Sequence, residues 1–120
     1  MCFPIQYAVT WPERVPNSLP PLDFARIAKL DFEAPRRADF PALDLARAAG
    51  EAGGALPAVL NAANEVAVAA FLGRRCGFPA IWQTVEQVMS EHQPVAGADL
   101  DAILSSDSWA RARASELLGA

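Results

Sequence analysis

The sequence is poor in the side chains that most often bind metals or form disulfides. Its 120 residues include two cysteines, Cys2 and Cys76, and one histidine, His92. Two cysteines so far apart indicate neither a disulfide scaffold nor a zinc site, and a metal site needs several ligands that converge. We therefore expect no metal site in this chain, and we expect a reduced, cytoplasmic setting.

Long basic runs and long apolar runs are missing as well. Lysine and arginine form no run beyond two adjacent arginine pairs, at 36–37 and 74–75, and the net charge is −4. This acidic balance argues against a nucleic-acid or anionic-membrane surface. No uncharged stretch approaches the roughly 20 residues of a membrane-spanning helix, and the N-terminus shows no charged-then-apolar leader. The sequence predicts no nucleic-acid partner and no membrane segment.

Catalytic motifs are scarce. The sequence contains no Gly-x-Gly-x-x-Gly and no other loop of the kind that cradles phosphates. Ser105 and Ser106 have no histidine base nearby in sequence, and Cys76 has no identifiable partner. The acidic residues between Asp99 and Asp107 lack the glycine and closing glutamate of a calcium loop, so that helix capping explains them better. We predict no catalytic residue in this chain.

The stretch from Leu60 to Leu72 is the one that the rest of the chain is arranged around. It is rich in alanine and free of glycine and proline, which predicts helix, and we place this central helix at 56–75. Its apolar side chains cover nearly the whole circumference, so that neighbours must cover it on most sides. Its polar residues share one stripe at i, i+3 and i+4: Asn61, Asn64 and Glu65. We expect them to form a structural cluster that caps or braces neighbouring backbone rather than binding a ligand.

Helical spacing continues on both sides of the central helix. Paired glycines close a first helix at 53–54, and Pro79 is well placed in the first turn of a third. After a Pro/Gly loop we expect a short helix from Asp99 to Leu104 and another helix capped by Ser106 or Asp107. Short turns between helices are typical of a bundle. The sequence predicts a mainly α protein with a four-helix bundle domain over residues 39–120.

Residues 1–38 are of a different kind and predict an extended, proline-rich linker. Pro4 can open a helix of at most two turns that Pro12 ends, and the prolines that follow stiffen the chain into a strap. From Ile27 to Glu33, charged residues alternate with Leu30 and Phe32, which predicts a strand with one buried face. No second segment with this alternation is available to pair with it, so we expect a homo-oligomer in which this strand pairs with another copy.

Six blocks of the sequence carry a resemblance to a known family. They are 1–8 (MCFPIQYA), 11–14 (WPER), 21–24 (PLDF), 30–35 (LDFEAP), 60–72 (LNAANEVAVAAFL) and 107–111 (DSWAR). In this order, and over essentially the whole chain, the blocks resemble the C-terminal third of 1-deoxy-D-xylulose 5-phosphate reductoisomerases. Six blocks in register are a more specific signal than a single motif.

The resemblance implies a helical bundle reached through an extended linker, in an enzyme with NADPH and a divalent Mg or Mn ion. That enzyme converts 1-deoxy-D-xylulose 5-phosphate to 2-C-methyl-D-erythritol 4-phosphate, the committed step of the non-mevalonate route to isoprenoids. The cofactor, metal and substrate motifs of the family lie upstream, so the implied partners are the remaining domains of the same enzyme. Met1 matches the methionine of the motif Met-x-x-Pro-Ile, which implies a wall of the substrate and cofactor pocket. Cys2 departs from the family, which has a basic residue there.

Two other hypotheses compete with this one. The chain could be a stand-alone helical module for interaction or oligomerisation, with no enzyme attached. It could also be a small enzyme that uses Asn64, Glu65 and His92, which would require these three side chains to converge in one cleft.

Overall fold

Helices account for nearly all of the regular structure in the computed structural model, which describes residues 2–93, 95 and 98–119. The helices of this part are α1 (Cys2–Thr10), α2 (Phe24–Ile27), α3 (Ala42–Ala52), α4 (Leu56–Leu72), α5 (Pro79–Glu91) and α6 (Leu100–Leu117). The prediction of a mainly α protein with a C-terminal helical bundle is confirmed. The chain divides into two compact units, an N-terminal unit (residues 1–34) and a bundle unit (residues 35–120).

The N-terminal unit is a helix followed by a strap that folds back on it. Helix α1 runs to Thr10, about half a turn longer than predicted. The Gln6 amide nitrogen donates to the backbone oxygens of Val15, at 3.0 Å, and Pro16, at 3.2 Å. The Gln6 amide oxygen accepts from Asn17 Nδ2 at 2.9 Å. A polar clasp therefore holds the strap against the helix.

The strand predicted from Ile27 to Glu33 is not confirmed. Asp23 caps the short helix α2 by accepting from the backbone N–H of Arg26 at 3.1 Å, and Ile27 ends that helix. Residues 28–35 have neither helix nor strand structure. A strand is stabilised by a ladder of hydrogen bonds to a neighbour, and the described residues provide no neighbouring strand. Alternation of side chains alone does not create one.

The core of the bundle unit lies where α4 contacts α5 and α6, and α3 packs on a further side of α4. The α4 residues turned into this core are small, and all are buried: Val59, Ala62, Ala63, Ala67 and Ala70. Three of them, Val59, Ala62 and Ala63, form one core cluster with buried residues of α5 and α6, among them Val88 and Ala114. Alanines at a helix contact let two helix axes approach closely, which explains how one helix can serve three neighbours.

Helix α4 ends at Leu72, three residues before the predicted end at Arg75. The backbone N–H of Arg75 donates to Ala70 O and that of Arg74 to Phe71 O, both at 2.9 Å. These two bonds define a Schellman motif, whose turn places Arg74 in the left-handed region at φ 57°. Arg74 and Arg75 thus terminate the helix rather than extend it.

The last part of the chain forms one helix where two were predicted. Asp99 caps α6 by accepting from Ala102 N–H at 2.9 Å, as the sequence indicated, but the helix then continues through Ser106 and Asp107 to Leu117. No glycine or proline interrupts residues 100–117, and serine and aspartate inside a helix cost too little to break it. Asp107 also gains a partner one turn later, described below.

Candidate functional site

One polar site in the described residues joins α4 to α6. We call it the Arg111 cluster, formed by Asn61, Glu65, Asp107 and Arg111. Arg111 Nη2 donates to Glu65 Oε2 at 2.7 Å, and Arg111 Nε donates to Asp107 Oδ2 at 2.8 Å. Asn61 Nδ2 donates to Glu65 Oε1 at 3.2 Å. Two of the three polar residues predicted on α4 therefore bond to side chains, whereas backbone partners were expected.

The electrostatics of the Arg111 cluster favour its charged form. The hydrogen bond from Arg111 lowers the pKa of Glu65, and the bond from Asn61 lowers it further. The pKa of Arg111 is raised, first by the hydrogen bond to Asp107 and then by that to Glu65. A carboxylate held ionised in this way is a poor general acid or base near neutral pH. The cluster is thus suited to fixing the register of α4 on α6.

A second ion pair links α5 to α6 in the same manner. Arg113 Nε donates to Glu91 Oε2 at 2.6 Å and Arg113 Nη2 to Glu91 Oε1 at 3.1 Å, a two-pronged contact. Glu91 also accepts from Gln87 Nε2 at 3.1 Å, and Arg113 reaches Glu116 at 2.9 Å. The hydrogen bond from Arg113, followed by that from Gln87, lowers the pKa of Glu91. Two arginines of α6 therefore tie it to both neighbouring helices.

Asn64 is separate from the Arg111 cluster although it lies on the same helix. Its half-buried side chain lines a cavity of about 230 Å³ beside α3 and α5, together with Leu45, Leu60 and Trp82. The side-chain hydrogen bonds within the described residues include none from Asn64. The stripe predicted as one polar cluster is therefore divided between two surroundings.

His92 lies in a third place. Its Nε2 is 3.4 Å from Ser106 Oγ, and its ring centroid is 5.6 Å from that of Trp109. These residues line a cavity of about 320 Å³ that includes neither Asn64 nor Glu65. The convergence required for a small enzyme built on Asn64, Glu65 and His92 is not found.

Sequence reasoning missed Arg111 as the hub of a site. The local part of the signal was available, because Asp107 and Arg111 stand at i and i+4 on a helical pattern. The contact with Glu65 could not be predicted from local spacing, because Glu65 lies 46 residues from Arg111 and meets it only through the packing of α4 on α6.

Two other predictions concern the pocket and the membrane. The candidate pocket residue Met1 lies outside the described residues. None of the described helices has the length and apolar character to cross a membrane.

Comparison with known proteins gives one consistent family. Residues 1–113 match the family model for the DXP reductoisomerase C-terminal domain. The 1-deoxy-D-xylulose 5-phosphate reductoisomerase of Citrifermentans bemidjiense is 49% identical over 116 residues, which are 97% of this chain and 30% of that protein. The reductoisomerase of Moorella thermoacetica is 52% identical over 114 residues, which are 95% of this chain and 30% of that protein.

Solved structures give the same result. A reductoisomerase from Zymomonas mobilis in complex with NADPH matches with a TM-score of 0.85 and 41% identity, over 98% of this chain and 31% of that one. A DOX-P reductoisomerase in complex with NADPH, fosmidomycin and magnesium matches with a TM-score of 0.87 and 31% identity, over 98% and 31%. This chain spans about 30% of the length of the curated relatives. It belongs to the DXP reductoisomerase family, of which it is the C-terminal domain.

Proposed function

We propose that this chain acts as the C-terminal supporting domain of a reductoisomerase. The enzyme would convert 1-deoxy-D-xylulose 5-phosphate to 2-C-methyl-D-erythritol 4-phosphate with NADPH and Mg or Mn, in the cytoplasm, as part of the non-mevalonate route to isoprenoids. One observation carries the proposal: about half of the residues are identical to reductoisomerases over almost the whole chain, within a region that is 30% of their length. The partners would be the remaining domains of the same enzyme.

The residues that could hold a metal or cofactor support this role. No group of three or more His, Cys, Asp or Glu side chains among them could bind a metal ion, so they do not fit the magnesium of the relative's complex. The sequence has no dinucleotide-binding glycine loop for NADPH. We therefore assign the metal and cofactor sites to the preceding domains, and we expect the 120-residue chain alone to be inactive.

Within this role, each part of the chain has its own task. Residues 1–38 would act as the linker, with Met1 contributing one wall of the substrate and cofactor pocket. Residues 39–120 would act as the rigid bundle domain. Asn61 and Glu65 would be structural, because Arg111 holds Glu65 at 2.7 Å and leaves it no proton to exchange near neutral pH.

A chimeric enzyme tests the proposal. This chain replaces the matched third of the Moorella thermoacetica reductoisomerase, to which it is 52% identical. We expect the chimera to oxidise NADPH in the presence of substrate and manganese, while the same enzyme lacking this third and the 120-residue chain alone both stay at background. Turnover by the purified 120-residue chain would contradict the supporting role. An inactive chimera would contradict the assignment to this enzyme.

A second candidate function is homo-oligomerisation through residues 27–33, either within the enzyme or as a stand-alone module. It is favoured by Leu30 and Phe32, which are exposed in a segment that has no strand partner among the described residues. Such segments gain hydrogen bonds by pairing with a second copy. Light scattering of the 120-residue chain should show a dimer or larger assembly, and deletion of residues 1–36 should leave a helical monomer. A monomeric parent chain would contradict it.

A further inference from the structure

The cavity beside Asn64 is a groove with apolar walls that open onto the surface of the bundle unit. Helices α3 and α5 flank α4 and leave it between them. We call it the Asn64 groove and define it by its lining residues: Ala42, Leu45, Ala46, Leu60, Asn64, Ile81, Trp82 and Val85. Its volume of about 230 Å³ has room for one or two apolar side chains. None of the lining residues is charged.

Polar groups inside this groove are available for a partner. The half-buried amide of Asn64 makes no side-chain hydrogen bond with the described residues, and neither does the half-buried indole of Trp82. No side-chain nitrogen or oxygen of the described residues is both fully buried and unpaired, so these groups are reachable. An amide offers a donor and an acceptor, and an indole offers a donor. Apolar walls with a few such groups are the usual features of a binding pocket.

We propose that the Asn64 groove docks one apolar side chain, with its neighbouring peptide groups, from the part of the polypeptide that precedes the matched region in the relatives. The inference rests on the proposed function. The relatives carry about 70% of their length outside the region matched here, and the matched region is their C-terminal domain, so this remainder lies on the N-terminal side.

The small size of the groove favours a tethered occupant over a free one. A contact of one or two side chains is far below the area that a stable complex between separate molecules buries. A segment joined to the bundle by its own chain has a higher effective concentration than a free one, which favours a weak contact. A second copy of the chain or a free peptide would need more surface than this groove provides.

Cysteine labelling tests the occupant directly. Ala46 lines the groove and is exposed, and Ala48 lies two residues further along α3, outside the groove and also exposed. Each is replaced by cysteine, in the 120-residue chain and in the chimera with the Moorella thermoacetica enzyme. A soluble maleimide reports the rate at each site by peptide mass spectrometry. In the chimera we expect Ala46→Cys to react about tenfold more slowly than in the 120-residue chain, and Ala48→Cys to react equally in both.

The outcomes separate the groove from the proposed function, because NADPH oxidation is measured on the same chimeras. Equal rates for Ala46→Cys in both proteins overturn the groove proposal, whether the chimera is active or not. Protection in the 120-residue chain that grows with its concentration assigns the groove to a second copy and also overturns the proposal. Protection specific to the chimera supports it. Should that protected chimera be inactive, the docking stands and the assignment of the reaction fails.

Discussion

The N-terminal unit and the bundle unit differ in what holds them together. No described residue before Ala34 is buried, and eleven large apolar side chains there are exposed: Phe3, Ile5, Val9, Trp11, Val15, Leu19, Leu22, Phe24, Ile27, Leu30 and Phe32. In the bundle unit, α4 alone buries five residues. Hydrophobic burial is the largest favourable contribution to folding, and the N-terminal unit makes little use of it within this chain.

The contacts inside the N-terminal unit are of a weaker kind. They include the Gln6 clasp, the edge-to-face pair of Tyr7 and Trp11 at 5.4 Å, and the Arg14 guanidinium 4.8 Å above the Tyr7 ring. Each is at least partly exposed to water, where such contacts contribute about 1 kcal/mol or less. The comparison teaches that the bundle unit has a buried core of its own, whereas the N-terminal unit leaves its large apolar side chains exposed within this chain.

The largest expected effect comes from placing the same charge in each unit. Val88 is 0% exposed and Phe32 is 87% exposed. Val88→Asp buries an unpaired carboxylate and should cost about 3–5 kcal/mol, a large share of the stability of a small domain. Phe32→Asp should leave the unfolding midpoint of the bundle unchanged. Urea titrations followed by circular dichroism measure both, and a large loss for Phe32→Asp would mean that the two units fold as one.

The next effect tests the close packing of α4. Ala67 is 0% exposed, so Ala67→Leu forces extra volume between α4 and its neighbours and should cost about 1–3 kcal/mol. Ala69 lies on the same helix and is exposed, so that Ala69→Leu is the matched control. Its thermal midpoint should stay within a degree or so of the parent, as surface changes do. Equal thermal midpoints for the two variants would contradict close packing around the buried alanines of α4.

A smaller effect of opposite sign is expected at Arg74. Its φ of 57° costs a residue with a side chain about 1–2 kcal/mol, and glycine adopts this conformation freely. After the greater freedom of glycine in the unfolded chain is counted, Arg74→Gly should stabilise the bundle by about 0.5–1 kcal/mol. Ala28 has a φ of 64° in the N-terminal unit. Ala28→Gly should not change the unfolding midpoint of the bundle. A shift as large as that of Arg74→Gly would mean that the two units fold as one.

The smallest effect is a change in how the stability of the bundle falls at acid pH, which we call the acid limb of its pH–stability curve. The folded-state pKa of Glu65 is lowered below its ordinary value of 4.5 by the bond from Arg111. Its contribution is therefore present above about pH 4.5 and is lost as the pH falls through the folded pKa. Glu65→Gln should flatten the loss of stability in this range, whereas Glu33→Gln in the N-terminal unit should overlay the parent. Thermal midpoints between pH 3 and pH 7 measure it, and an unchanged acid limb for Glu65→Gln would show that the Arg111 bond is not formed in solution.

Local chemistry predicted much of the bundle. Alanine content, Pro79 and the glycines at 53–54 mark helices whose starts and ends the structure places close to the predicted positions. The strand at 27–33 could not be decided in this way, because a strand depends on a neighbour that the sequence pattern does not supply. The pairing of Arg111 with Glu65 was equally out of reach, since the register of two helices is set by their packed faces.

The difference in stability between the two units is tested most directly by amide hydrogen exchange. The 120-residue chain is measured at a concentration where light scattering shows a monomer. Amides of α4 and α6, which surround the core, should exchange only when the whole bundle opens. Amides of α1, which has no buried residue, should exchange at nearly the rate of an unfolded peptide. Protection of α1 equal to that of α4 in the monomer would contradict the account, because the N-terminal unit would then be stable without a body to cover it.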